Sequence, residues 1–271
     1  MSGIALNPAD TGLEVIDLED HAEFASRRLH TRDIAMQIEG MHRLARAFVE
    51  NPDTMLQELV NAAVDLCGAE SAGISVERED RTDNDYYRWV ATAGIYAGFL
   101  DAHLPRYPSA CGICLERGRP QLFRVSQRFF DLMGIEAAVV TDGILLPWQV
   151  ENTRGTIWIM SHGKTEAFDR DDLRMMQVLA NFAAIGVRQQ GQQRMLMQQA
   201  RAAAAAGMAN DLAHSINNPL QSITNILYMA TEGLGGSDGK ALAQELSEHV
   251  QRLSSLVAQL LALPKSIQSV E

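Results

Sequence analysis

From position 170 to position 232 the chain offers no strong helix breaker before Pro219, and this constrains it more than any other feature. Gly186, Gly191 and Gly207 are soft points, each about 1 kcal/mol less favourable than Ala inside a helix. The alanine run Ala202–Ala206 favours helix and offers small side chains for close helix approach. Asp169 can cap the start, and Asp172 three residues on completes a capping-box-like pair. The spacing predicts a nearly continuous rod, so the domain before it and the segment after it share one helix.

The rod carries two faces. Leu212, Ile216, Leu220, Ile223, Leu227 and Ala230 recur at the three-to-four spacing of a buried stripe. His214 is off that stripe and belongs with Asp211, Asn218, Gln221 and Asn225, a polar stripe that should face water and leave an imidazole free to react. A glycine-rich turn, Gly233 to Gly239, leads into a second amphipathic helix with Leu242, Leu246, Val250, Leu253, Val257 and Leu260. Two helices with apolar stripes this long cannot bury them alone. The expectation is an all-α hairpin that pairs with a second copy as a four-helix bundle, making the protein a homodimer.

The segment Asn210 to Leu220, with His214-Ser215-Ile216-Asn217-Asn218-Pro219-Leu220 at its centre, resembles the phosphoacceptor box of two-component histidine kinases. Pro219, five residues after the histidine, removes one backbone hydrogen bond and should kink the rod. Gln251-Arg252-Leu253-Ser254 and Leu260-Leu261 resemble the second helix of that family's dimerisation hairpin. The resemblance implies that His214 takes a phosphoryl group on a ring nitrogen and passes it to an aspartate of a response regulator. It also implies that Asn218, one turn on, aids dephosphorylation. Ser215 departs from the pattern: the family has Glu or Asp there as general base, and a hydroxyl orients the ring without supplying charge.

No asparagine or glycine box of an ATP-binding domain follows before Glu271. The one phosphate-loop near miss, ending at Gly239-Lys240, has Leu234 for its first glycine and Ala241 for its Ser or Thr, and reads as a turn. The expectation is a chain with no kinase activity of its own, exchanging phosphoryl groups with a response regulator or a partner histidine kinase. Two alternatives stay open. One is a non-enzymatic protein that binds a kinase or regulator. The other is the N-terminal part of a complete sensor kinase whose ATP domain lies beyond Glu271.

At 271 residues the chain has room for about two domains, and at 46% hydrophobic its composition is that of a globular protein. A net charge of -11 argues against a nucleic-acid surface. No window approaches the roughly 18 apolar residues of a membrane span, and Met1 to Asp20 lacks the basic start and apolar run of a secretory signal, so the expected location is cytoplasmic. Three cysteines cannot form a disulfide framework. Cys111-Gly112-Ile113-Cys114 has redox or metal spacing, but one pair cannot complete a zinc site and no metal is expected. With Pro105, Pro108 and Ser109 just before, the pair is expected in a loop or at its exit, as small hydrophobes packed in a pocket wall.

Residues 1–33 lack strong periodicity and read as a tail with a short helix. From Thr31, Ile34, Ile38, Met41, Leu44 and Phe48 form a helical stripe ending near Asn51-Pro52. A second helix carries Met55, Leu59, Ala63 and Leu66. Strand-like runs follow at 72–77, 86–93, 121–125, 144–150 and 156–161, the last two forming a hairpin. This order predicts an α+β domain on an antiparallel sheet.

The order, with Trp89-Val90-Ala91-Thr92-Ala93-Gly94, Ser109 to Leu115, Gly155-Thr156-Ile157-Trp158-Ile159 and Phe168 to Asp172, resembles a GAF domain over 34–189. Residues 190–206 then read as a signalling helix, 207–264 as the hairpin and 265–271 as a tail. The resemblance implies a sensor that holds a small molecule or chromophore, or none, under loops covering the sheet. Trp89, Tyr96, Trp148 and Trp158, with Phe99 and Phe129, are candidate aromatic walls. Cys111 or Cys114 could attach a bilin, although no His or Tyr stands beside them at the usual position, and His103 or His162 could ligate haem.

Overall fold

The computed structural model describes residues 11–19, 21–32, 34–50, 53–231 and 238–262. They divide into two units, Met1–Gln193 and Arg194–Glu271.

The first unit is built on a seven-stranded sheet. Its strands are β1 (Leu13–Asp17), β2 (Ser71–Thr82), β3 (Asp85–Gly94), β4 (His103–Leu104), β5 (Gln121–Val125), β6 (Val140–Val150) and β7 (Thr153–Ser161). They lie in the order β1-β5-β6-β7-β2-β3-β4, every neighbouring pair antiparallel. One sheet face is covered by α1 (Ala22–Ser26), α2 (Ile34–Glu50), α3 (Met55–Cys67) and the start of α6 (Arg170–Thr231). The core there joins Leu44, Met55, Leu59, Leu66, Ile144, Ile157, Ile159, Phe168, Met176 and Leu179. Fully burying each such side chain contributes about 1.5–3 kcal/mol. The opposite face is covered by α4 (Ala110–Arg117) and α5 (Gln127–Met133), which pack on Trp89, Tyr96, Phe123, Leu145 and Trp158.

The segment expected as a tail contributes to this domain. β1 pairs antiparallel with β5, Leu13 opposite Val125, and Leu18 and Phe24 are buried in the core on the helical face. Its pairing partner lies more than a hundred positions away, and local periodicity carries no trace of such a contact. Arg27 is buried and makes a bidentate pair with Asp142, at 2.8 and 3.0 Å. Ile34 and Ile38, expected on the buried stripe of α2, are exposed, whereas Gly40, Leu44 and Ala47 are buried.

The start of α6 bears out its capping signal. Asp169 Oδ1 accepts from the backbone N–H of Asp171 and Asp172, and Asp172 Oδ2 accepts reciprocally from the Asp169 N–H. His30 and Arg32 grip the same two carboxylates, His30 through its backbone N–H and Nδ1 and Arg32 through a fork on Asp172. The acidic first turn also suits the positive end of the helix.

The second unit holds the remainder of α6 and α7 (Asp238–Ala262). α6 runs through Pro219 without a break. From Leu212 onward the described half-buried or buried positions on α6 are Leu212, Ile216, Pro219, Ser222, Ile223 and Ile226, and on α7 Leu246, His249, Leu253 and Leu256. Ser222 apart, these positions alternate by three and four, the spacing of a helix seam. Leu220, Leu227 and Val250, expected on the buried stripes, are exposed in the single chain. The turn at 233–237 and the side chains of Ala230, Leu242, Val257 and Leu260 lie outside the described residues. No described helix is long and apolar enough to cross a membrane.

Candidate functional site: an aromatic cavity and an exposed histidine

The α4/α5 face of the sheet encloses a cavity of about 90 Å³. Its walls come from Leu13 of β1, Trp89 of β3, Tyr96 and Phe99 of the turn after it, Cys111 of α4, Phe129 and Phe130 of α5, and Trp158 of β7. Among the described residues no carboxylate, ammonium or guanidinium lines it; the only ionisable side chains there are His103, Tyr96 and Cys111.

The side-chain alternation of the strands decides which aromatics reach it. Trp158 lies cross-strand from Gly73, and a β-carbon on Gly73 would meet the indole at 2.1 Å, so only glycine lets the ring lie there. Trp148 lies over Gly155 in the same manner but on the other face, with Ile144 and Leu146, and does not line the cavity. A strand turns successive side chains to opposite faces, and Trp148 is three positions from Leu145, the cross-strand partner of Trp158. A bulge in β3 between the pairs Ile74–Ala91 and Ser75–Trp89 turns Trp89 to the cavity face, while Ala91 stays on the helical face. No composition or spacing cue announced that bulge.

Trp89, Tyr96 and Trp158 form one ring cluster, with Trp89 and Trp158 centroids 4.7 Å apart. Tyr96 donates its hydroxyl to the Ala138 carbonyl at 2.5 Å, and burial raises its pKa. The indole N–H groups of Trp89 and Trp158 are buried with no hydrogen-bond partner, as is that of Trp148 on the other sheet face.

The two cysteines open a helix instead of lying in a loop. Ser109 caps α4 by accepting from the Gly112 N–H, and both thiols are buried. Burial pushes both pKa values up, which keeps them neutral. Cys111 accepts from the Thr156 hydroxyl at 3.2 Å and lines the cavity; Cys114 lies behind it against the Leu145 carbonyl and does not. The cavity is smaller than the roughly 150 Å³ that accommodates benzene in an engineered protein core, so a tetrapyrrole does not fit it in this conformation. His162 is not an open ligand either. Its Nδ1–H donates to the Val139 carbonyl at 2.8 Å and its Nε2 accepts from Ser71 at 2.7 Å. His103, at the cavity edge, pairs with Asp85 at 2.8 Å.

In the second unit His214, Ser215 and Asn218 are all exposed, as are Asp211, Gln221 and Asn225. His214 and Asn218 are one helical turn apart on a common face. Pro219 has no N–H to donate to the Ser215 carbonyl one turn back, which loosens the backbone beside the histidine. The aromatic cavity and the exposed histidine belong to different units.

Comparison with known proteins bears on the first unit. No curated protein matches the chain. Among solved structures, the GAF domain of an Acinetobacter phosphoenolpyruvate-protein phosphotransferase is 15% identical, covering 56% of this chain and 93% of that one with a TM-score of 0.45. The phycoerythrobilin-bound GAF domain of a cyanobacterial phytochrome is 12% identical, covering 61% and 100% at 0.42. The chromophore-binding domain of an unusual R. palustris bacteriophytochrome is 13% identical, covering 61% and 65% at 0.46. The GAF domain family model matches residues 49–188. That match spans just over half of the sequence, and the chain belongs to the GAF domain family.

Proposed function

We propose that this is a two-component signalling protein in which a small molecule in the aromatic cavity controls an exposed phosphoacceptor, His214, through helix α6. The helix is the observation that carries the reading. Met176, Leu179, Ala180 and Ala183 of α6 are core residues of the GAF domain, and the same helix carries His214 and Asn218 on its exposed face. A packed core is not continuously deformable, so a change at the cavity is passed to the helix root as a discrete shift. The N-terminal segment offers one route: Leu13 lines the cavity, Arg27 of the same segment holds Asp142 of β6, and His30 and Arg32 hold Asp169 and Asp172 at the start of α6.

At the histidine, a ring-nitrogen lone pair attacks the phosphorus of a phosphoryl donor. The P–N bond forms as the donor's P–O bond breaks, and the same step reversed delivers the group to a regulator aspartate. Ser215 orients the ring, and the Asn218 amide orients the phosphoryl group or the water that removes it. The exposed apolar residues Leu220, Leu227 and Val250 are read as the surface that a second copy covers in a four-helix bundle. The partners are a response regulator and a histidine kinase.

Incubation with an active partner kinase or a phosphorylated regulator tests the reading. The wild type acquires acid-labile phosphate and His214→Gln does not. Ser215, in place of an acidic neighbour, favours a second reading in which the hairpin only docks on a kinase or regulator. That reading holds if no partner labels the wild type while a kinase is still recovered through residues 207–264.

A further inference from the structure

The cavity walls are nearly all carbon, yet two of their rings carry polar hydrogens with nowhere to go. Trp89 and Trp158 are 9% and 1% exposed, both line the cavity, and neither indole N–H has a hydrogen-bond partner. Buried donors are almost always satisfied, so two unsatisfied ones on a single cavity are a costly arrangement that an incoming acceptor would relieve. With no carboxylate, ammonium or guanidinium among the described lining residues, a charged ligand would be stranded there. The volume of about 90 Å³, below that of a benzene-binding cavity, admits a molecule no larger than a four-membered ring with one substituent atom.

We infer that the cavity binds a compact, uncharged molecule with an apolar body and a carbonyl-type or ether-type oxygen that accepts from the Trp89 and Trp158 indole N–H groups. The inference rests on the reading of the cavity as the sensing site and names the ligand class for it. Aromatic walls hold the body by area and dispersion, and the two donors select the oxygen. Selection of this kind works because a hydrocarbon of equal shape leaves both donors unpaired.

Cyclobutanone and methylenecyclobutane make the test, since they differ only in a carbonyl oxygen against a methylene of the same shape. The full chain has three tryptophans, so a nitrogen–proton correlation spectrum shows three indole signals, assignable with Trp→Phe variants. The ketone is expected to move the Trp89 and Trp158 signals and to leave Trp148 in place, since Trp148 lies on the other sheet face. It should bind at least as tightly as the hydrocarbon in spite of its greater desolvation cost. Trp158→Phe, which keeps a ring and removes a donor, should weaken the ketone by about tenfold and leave the hydrocarbon within about twofold. If the hydrocarbon binds about tenfold tighter than the ketone to the wild type, the acceptor class is wrong and the sensing cavity stands. If neither probe moves any indole signal up to its solubility limit, both fall.

Discussion

Replacing Arg27 by Met strands a carboxylate. The Arg27 and Asp142 side chains are 2% and 0% exposed, and the guanidinium spans both Asp142 oxygens at 2.8 and 3.0 Å. Arg27 also donates to the Phe168 carbonyl at 2.9 Å, while Asp142 accepts from the Phe168 N–H at 3.3 Å. After Arg27→Met the carboxylate keeps only that long backbone bond, and the Phe168 carbonyl loses its donor. Removing one partner of a buried pair costs about 3–5 kcal/mol, a large share of the roughly 5–15 kcal/mol that holds a domain folded.

The double variant Arg27→Met, Asp142→Leu carries no buried charge. It should recover about 2–3 kcal/mol, less than the full loss because the Phe168 N–H and carbonyl both remain without these partners. Trp89, Trp148 and Trp158 are all in the first unit, so urea unfolding followed by intrinsic fluorescence reports on the GAF domain. A double-mutant cycle gives the coupling directly. The reasoning fails if Arg27→Met costs less than about 1 kcal/mol, or if the double variant loses the sum of the two single losses.

Ser215→Glu restores a charge beside the imidazole and should speed phosphoryl transfer to His214 by roughly tenfold to a hundredfold, read as acid-labile label against time. Incubated with ATP alone, the 271-residue chain should stay unlabelled, and label that persists in stringently purified protein would contradict this. Light scattering should give a dimer mass, with Leu220→Asp plus Leu227→Asp shifting it to monomer at unchanged urea midpoint, since both side chains are exposed in the single chain. All three cysteines are buried with pKa values pushed up by that burial, so iodoacetamide at pH 8 should label none in the native protein and all in urea. The Glu70 pKa is held below its usual value, chiefly by the His162 backbone N–H, then by the Ser161 hydroxyl and the Gly163 N–H. A depressed carboxylate adds stability above its unfolded pKa, about 4.3, and loses it as pH falls through the lower folded value. Glu70→Gln should therefore flatten the acid limb of stability below about pH 4.5, measured by urea midpoint against pH.

What the sequence by itself determined is local. The breaker-free run after Asp169, its reciprocal aspartate cap and the polar stripe through His214 could all be read from residue spacing, because a helix fixes its faces over three or four positions. The strand runs and the closing hairpin were legible through their β-rich composition and turn residues for the same reason. Tertiary structure decided what depends on register and coverage. Alternation places Trp148 and Trp158 on opposite faces only once the pairing Trp148–Gly155 is known, and it names neither face as the cavity until α4 and α5 cover one. The Val90 bulge and the return of β1 to β5 are contacts between distant strands with no local period to betray them. Arg27 lies in a segment without periodicity. Only the folded chain brings it to Asp142, where exclusion of water from both groups makes their pairing decisive.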